Sequence, residues 1–443
     1  MEKSQDNSNG KNQRRIGKYR WVILSLVFFA TTVNYLDRQV ISLLKDDYLQ
    51  PVFGWTESDY GLVVGVFQLS YAVGMLCVGR FVDKVGTKLG YAISLSVWSL
   101  AAVAHAFARR TIDFAVARGL LGVSEAGNFP AAVKSVAEWF PKKERALATG
   151  IFNSGTNIGA ILAPLTVPLM AVSWGWQWAF IVTGAIGFIW LIFWMLIYEI
   201  PSNQKRLSKE EFDYIHSDKD EVIEETGESR KVSWLTVLGK RQAWAFAVGK
   251  FITDPVWWFY LFWLPSFLYS QYGISKTGLA LPIALVFCIT TVGSIFGGWL
   301  SGYFIKKGWV VNKARRVSML VFALLPLPVV FAQALGQYSM WFAVLIVGIA
   351  AAAHQAWGAN LMTTVSDMFP KHAVASVMGL GGMVGGISGF LMSQGVGWLL
   401  DYYRNNNSIE TGYYVIFLLC GTAYIIAWTL FNILAPKMKR VEF

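Results

Sequence analysis

The sequence predicts an all-α membrane protein of twelve transmembrane helices, arranged as two pseudo-symmetric six-helix halves. Three observations carry that expectation. Of the 443 residues, 55% are hydrophobic and only 15% are charged, against about 25% charged in an ordinary soluble domain. Apolar runs of the roughly 20 residues that a bilayer demands recur along the chain. One charge-rich break, from Glu199 to Arg241, divides those runs six and six.

Residues 1–19 form a basic tail. The run Trp21 to Leu44 is too long for the apolar part of a signal peptide, and no cleavage pattern follows it, so a retained first span is expected over 20–43. Five more follow at 58–81, 88–108, 112–135, 144–168 and 176–198, which makes 20–198 the first half. Pro201 ends the sixth, because proline cannot continue a helix interior. The linker 199–241 holds Leu207 to Phe212, the start of a short surface helix with Ser208 as N-cap and Glu211 at its third position. The second half, 242–435, carries spans at 243–269, 278–304, 316–334, 338–364, 372–400 and 411–435, before the tail 436–443. Pro255 and Pro265 predict a break or kink in the seventh span. The glycines of the eleventh (Gly379, Gly381, Gly382, Gly385, Gly386, Gly389) predict an element that slides and bends.

The net charge of +11 does not point to nucleic acid, since the bases alternate between loops instead of lining one face. With a cytoplasmic N-terminus, 29 Lys and Arg fall in cytoplasmic segments and five on the opposite side. That asymmetry places both termini inside. Cys77, Cys288 and Cys420 are scattered through apolar runs, which excludes a disulfide framework or zinc site and suggests small buried hydrophobes. There is no phosphate loop, nucleophile elbow or metal-spaced cluster. No enzyme, metal or cofactor is expected.

Between spans two and three stands Gly79-Arg80-Phe81-Val82-Asp83-Lys84-Val85-Gly86-Thr87-Lys88. Gly79 permits close helix approach, and Asp83 suits the N-terminus of a neighbouring helix. This resembles the signature loop of the major facilitator superfamily at Gly79, Asp83, Lys84, Gly86 and Lys88, with a degenerate echo after span eight (Gly298 to Gly302, then Lys306, Lys307, Arg315, Arg316). A narrower resemblance lies in Asn34-Tyr35-x-Asp37-Arg38, in Arg118 to Pro130, in Glu138-Trp139-Phe140-Pro141 and in Glu144-Arg145. These motifs are similar to the anion:cation symporter family. Asp254 to Pro265, Ala353-His354-Gln355 and Ser366 to Pro370 look most like its bacterial hexuronate branch. The resemblance implies a monomeric inner-membrane carrier that couples uptake of a sugar-acid anion to protons by alternating access. It also implies proton sensing at Asp37 and Glu125.

The residues supply matching chemistry. Ionisable groups at membrane depth mark transport pathways. Asp37 and Arg38 are adjacent on the first span, so they diverge by roughly 100° and should meet different partners. A planar guanidinium holds a carboxylate through two parallel bonds, which makes Arg38 the reader of the substrate carboxylate, with help from Arg118. Arg118 and Glu125 share a helix face about 10 Å apart, and burial favours the protonated form of a carboxylate. Gln68 and Tyr71 share a face of span two, and Asn153 and Asn157 a face of span five; such groups can meet sugar hydroxyls. From the second half come Trp258, Tyr260, His354, Gln355, Asn360 and Ser388, while Lys250 and Asp254 can simply pair with each other. A carrier of another organic anion (a hexonate, tartrate, an aromatic acid) or a non-transporting anion sensor is the alternative.

Overall fold

The computed structural model describes residues 17–217 and 234–441. Among them there is no strand. The helices are α1 (Tyr19–Leu44), α2 (Glu57–Val85), α3 (Thr87–Ala104), α4 (Thr111–Glu125), α5 (Asn128–Trp139), α6 (Lys142–Trp174) and α7 (Trp176–Ile197). After the short α8 (Lys209–Ile215) come α9 (Arg241–Tyr272), α10 (Ala280–Lys306), α11 (Val311–Leu324), α12 (Met340–Met368), α13 (Lys371–Asn405) and α14 (Ile409–Leu434). Ten helical segments are long and apolar enough to cross a membrane.

Local chemistry sets many of the boundaries. Thr56 and Asp59 cap α2 reciprocally: Asp59 N donates to Thr56 Oγ1 at 3.1 Å and Thr56 N to Asp59 Oδ2 at 2.9 Å. Gly86, at φ +91°, ends α2 and turns the chain into α3, a conformation that favours glycine. In the linker, Ser208 caps α8 by accepting from Glu211 N. The Glu211 carboxylate meanwhile receives Tyr19 N, Arg20 N and Arg20 Nη1, so it sits on the positive N-terminus of α1 and anchors the linker there. Asp113 does the same for α4, accepting from the Arg109 and Arg110 amides, and the Arg110 side chain pairs with it at 3.0 Å.

Two expectations need correction. The expected break in the seventh span does not occur: α9 is one continuous helix through Pro255 and Pro265, with which a kink is compatible. Its tightly buried second half packs against α13, α14 and the N-terminal helices, and that packing outweighs the lost backbone bonds. Of the cysteines only Cys420 is buried; Cys77 and Cys288 are exposed. The outer face of a membrane bundle meets lipid, so a thiol there has no reason to turn inward.

The N-terminal helices meet the C-terminal ones chiefly along α2 and α13, where glycine lets backbones touch. A Cβ built on Gly386 would lie 2.5 Å from the Ala72 Cβ, and one on Gly61 would lie 2.5 Å from the Ser393 carbonyl oxygen. Where α1 ends, a charged network joins the two groups. Lys45 Nζ is 2.6 Å from Glu57 Oε2 and 2.9 Å from Asp46 Oδ1, and it donates to Ser266 Oγ of α9. Arg404 of α13 reaches Glu57 Oε1 at 2.6 Å, and Asp401 accepts from the Glu57 and Ser58 amides. Lys45 and Glu57 are both 0% exposed. At the other end of the bundle, the pairs Arg20–Glu144, Asp83–Lys134, Lys88–Glu199 and Arg315–Asp367 each stay within one group.

Removing one partner of a buried pair leaves an uncompensated charge and costs on the order of 3 kcal/mol. Glu57→Gln is expected to lower the melting temperature of the detergent-solubilised protein by several degrees. Arg404→Gln, at a 40% exposed side chain, should lower it less. Scanning fluorimetry of the two variants checks the order.

Candidate functional site

α1 presents Asn34 and Arg38 one turn apart, and α4 delivers Glu125 from 87 positions along the chain. Arg38 Nε and Nη2 donate to the same oxygen, Glu125 Oε2, at 3.0 and 2.8 Å. Arg38 Nη2 also donates to Asn34 Oδ1 at 3.2 Å. Four rings surround the guanidinium: Tyr35 at 4.5 Å, Tyr71 at 5.1 Å, Phe67 at 5.2 Å and Trp258 at 5.7 Å from its carbon to each centroid. Such an aromatic cage stabilises a desolvated cation. Trp258 comes from α9, so the second group of helices reaches the charge held by the first.

The remaining charges here are poorly satisfied. Asp37, 2% exposed, has no hydrogen-bond partner on either carboxyl oxygen among the described residues. Arg118 Nη1 donates to the Arg38 carbonyl at 3.2 Å, while its Nε and Nη2 find no partner. Glu125 Oε1, Asn34 Nδ2 and Gln39 Nε2 are unpartnered as well. Buried polar atoms are nearly always hydrogen-bonded, so this concentration around one arginine marks a site whose bonds are completed by something other than protein. Asp37 and Arg38 do meet different surroundings, as their adjacency on α1 requires.

The other sequence candidates are distributed unevenly. Gln68 Oε1 accepts from Ser393 Oγ at 2.9 Å, which joins α2 to α13, and its Nε2 is unpartnered. Tyr71 and Trp258 are in edge-to-face contact beside Arg38. Tyr260 is buried against Phe259 with its hydroxyl unpartnered. His354 stacks on Trp257 at 5.3 Å, and its Nδ1 lies 2.8 Å from the Tyr424 hydroxyl. Asn360 Nδ2 donates to the Gly297 and Ala356 carbonyls and so ties α12 to α10. Ser388 donates to the Gly385 carbonyl one turn back. Asn153 is exposed, Asn157 buried and Gln355 half-buried. Only Tyr71, Trp258, Glu125 and Asn34 are brought against Arg38 in company with Tyr35 and Phe67. Of these, Phe67 carried no signal beyond hydrophobicity, while Asn34 was visible as an intramembrane amide one turn from Arg38.

In the signature loop, Asp83 faces outward with a 75% exposed side chain, and its carboxylate pairs with Lys134 at 2.9 Å instead of capping a helix. Lys134 Nζ also donates to the Val82 carbonyl near the C-terminus of α2, where a cation is favourable. Lys88 pairs with Glu199 at 2.8 Å, and that bond lowers the Glu199 carboxyl below its usual range. Lys84 is exposed, and a Cβ on Gly79 would meet nothing within 4 Å. Arg315 and Asp367, 3.0 Å apart, echo Lys134–Asp83 between α11 and α12.

The chain resembles known proteins along nearly its whole length. The model of the Major Facilitator Superfamily matches residues 27–393. The hexuronate transporter of Escherichia coli K12 is 33% identical over 391 residues, which is 88% of this chain and 89% of that protein. The galacturonate transporter of Dickeya chrysanthemi is 34% identical over 298 residues, 67% and 86% of the two chains. Among solved structures, the inward-facing, occupied form of a bacterial homolog of the human lysosomal transporter Spinster aligns with a TM-score of 0.75 at 18% identity, covering 95% of this chain and 98% of its own. A D-xylose–proton symporter aligns at 0.71 and 16%, covering 96% and 100%. The chain therefore belongs to the Major Facilitator Superfamily and is a multi-pass membrane transporter, not an enzyme.

Proposed function

We propose that the protein imports a sugar-acid anion, a hexuronate such as galacturonate or glucuronate, together with protons by alternating access in the inner membrane, with both termini cytoplasmic. The observation that carries this reading is the state of Arg38. A guanidinium caged by aromatic rings at membrane depth is built to hold a carboxylate, and the one it holds is Glu125. Protonation of Glu125 frees the fork for the substrate carboxylate, and Arg118 supplies a second, incompletely bonded cation close by. Asp37, buried beside the Thr183 hydroxyl and without an ion pair among the described residues, is the second proton carrier. The names of the relatives, hexuronate, galacturonate and D-galactonate transporters, support a polyhydroxy acid as cargo. The charge asymmetry of the loops supports the orientation.

The reading takes twelve spans in two halves of six. Ten segments qualify on hydropathy. The two others are α4 with α5, which carry Arg118, Glu125 and Lys134, and α9, which carries Lys250, Asp254 and two prolines. Their polarity is what a helix lining an aqueous path requires. The Lys45–Glu57–Arg404 network supports a state closed on the outer side. The protein works as a monomer and takes up no metal or cofactor.

In proteoliposomes, an inward proton gradient is expected to stimulate uptake of labelled galacturonate, and equal uptake with and without the gradient would remove the coupling. Glu125→Gln is expected to abolish gradient-driven accumulation while leaving counterflow exchange. Arg38→Lys keeps the charge but loses the fork, and a bidentate contact is worth about 1.5–3 kcal/mol, so KM should rise at least tenfold. An unchanged KM would show that Arg38 does not read the carboxylate.

A further inference from the structure

Lys250 and Asp254 form an ion pair of 2.6 Å within α9. They stand two turns and one turn from Trp258 on one flank of the helix, so Asp254 is about 6 Å along the axis from the ring that caps Arg38. Asp254 is turned toward α13, where its Oδ2 lies against Gly385. The pair is not sealed. Its side chains keep 15% and 16% exposure, whereas Lys45–Glu57, which joins helices, keeps none. α13 makes room for it, since a Cβ on Gly385 would lie 2.1 Å from Asp254 Oδ2, and Gly389, one turn further along, yields similarly to Trp258. A charged pair bonded within its own helix ties no two helices together, and holding it at membrane depth costs several kcal/mol. A purely structural role gives no return for that cost.

We propose that Lys250 and Asp254 are specificity-determining residues that read the hydroxyl groups of the cargo. This deepens the reading above and rests on it. A hexuronate has a carboxylate at one end and a hydroxylated ring at the other. With the carboxylate on Arg38, the ring lies against Trp258 and its hydroxyls reach the pair. Asp254 accepts from two neighbouring hydroxyls, and Lys250, with three protons and one ion partner, donates to a hydroxyl or ring oxygen. An acid without hydroxyls leaves both groups unserved, which selects against it.

The test compares the intact wild-type protein with Asp254→Asn and with the double variant Lys250→Met/Asp254→Leu, which removes both charges together and keeps an apolar, foldable helix. Uptake of glucuronate and galacturonate, which differ in the orientation of one hydroxyl, is measured for each. The expected result is a KM raised about tenfold or more in the double variant, the size of losing charged hydrogen bonds, with a changed ratio of kcat/KM between the two epimers. A double variant that keeps the wild-type KM and epimer ratio overturns the proposal, as does one whose only change is an equal fall in kcat for both, because that is how a structural pair behaves. Wild-type protein that carries neither epimer overturns instead the hexuronate reading on which the proposal rests.

Discussion

A guanidinium buried among aromatic rings cannot lose its charge and cannot be left alone. Arg38 is always ionised, and desolvating it without a partner costs far more than the few kcal/mol by which proteins are stable. Something anionic must sit on it at every stage. In the structure that anion is Glu125, which brings α4 against α1 across 87 residues of sequence. The neighbouring acid and base, Asp37 and Arg118, are then short of partners, because Arg38 and Glu125 have taken each other. In the proposed mechanism the constraint is competition for one arginine: two carboxylates, one fork, and a proton to settle the difference.

The surrounding architecture serves that competition. α2 and α13 approach through glycine, which keeps Trp258 within reach of the N-terminal charges. The network of Lys45, Glu57 and Arg404 places the tightest electrostatic bonds between the two groups of helices at one end of the bundle. The four pairs named at the other end each stay within a group.

Much of this was legible in the chain. The Ser208 cap depends on neighbours within a turn, and it appears where residue order puts it; ten of the apolar runs form helices long enough to cross a membrane among the described residues. Asp37, Arg38, Arg118 and Glu125 stand in or beside apolar runs, and all four are buried. What residue order could not reveal was pairing. Helical spacing says that Arg38 shares a face with Asn34 but not which helix will stand opposite. Trp258 and Tyr260 looked alike; two positions apart on a helix they face nearly opposite ways, and only Trp258 meets Arg38. Lys45-Asp46-Asp47 lies beyond the expected first span of 20–43, yet it continues α1 as a π turn with Lys45 wholly buried. Pro255 and Pro265 do not break α9, because the packing around it outweighs their local cost.

The sharpest test of a shared arginine follows the proton and not the sugar. If the cargo's carboxylate displaces Glu125 from Arg38, the displaced acid must take up a proton, since a free carboxylate in that cage is more costly than a neutral one. Purified protein in weakly buffered detergent solution near neutral pH, mixed with saturating galacturonate in the presence of a pH-sensitive dye, should alkalinise the solution, and Glu125→Gln should not. Saturable binding of galacturonate with no change in dye signal would contradict the account, because the anion would then be bound without unseating Glu125.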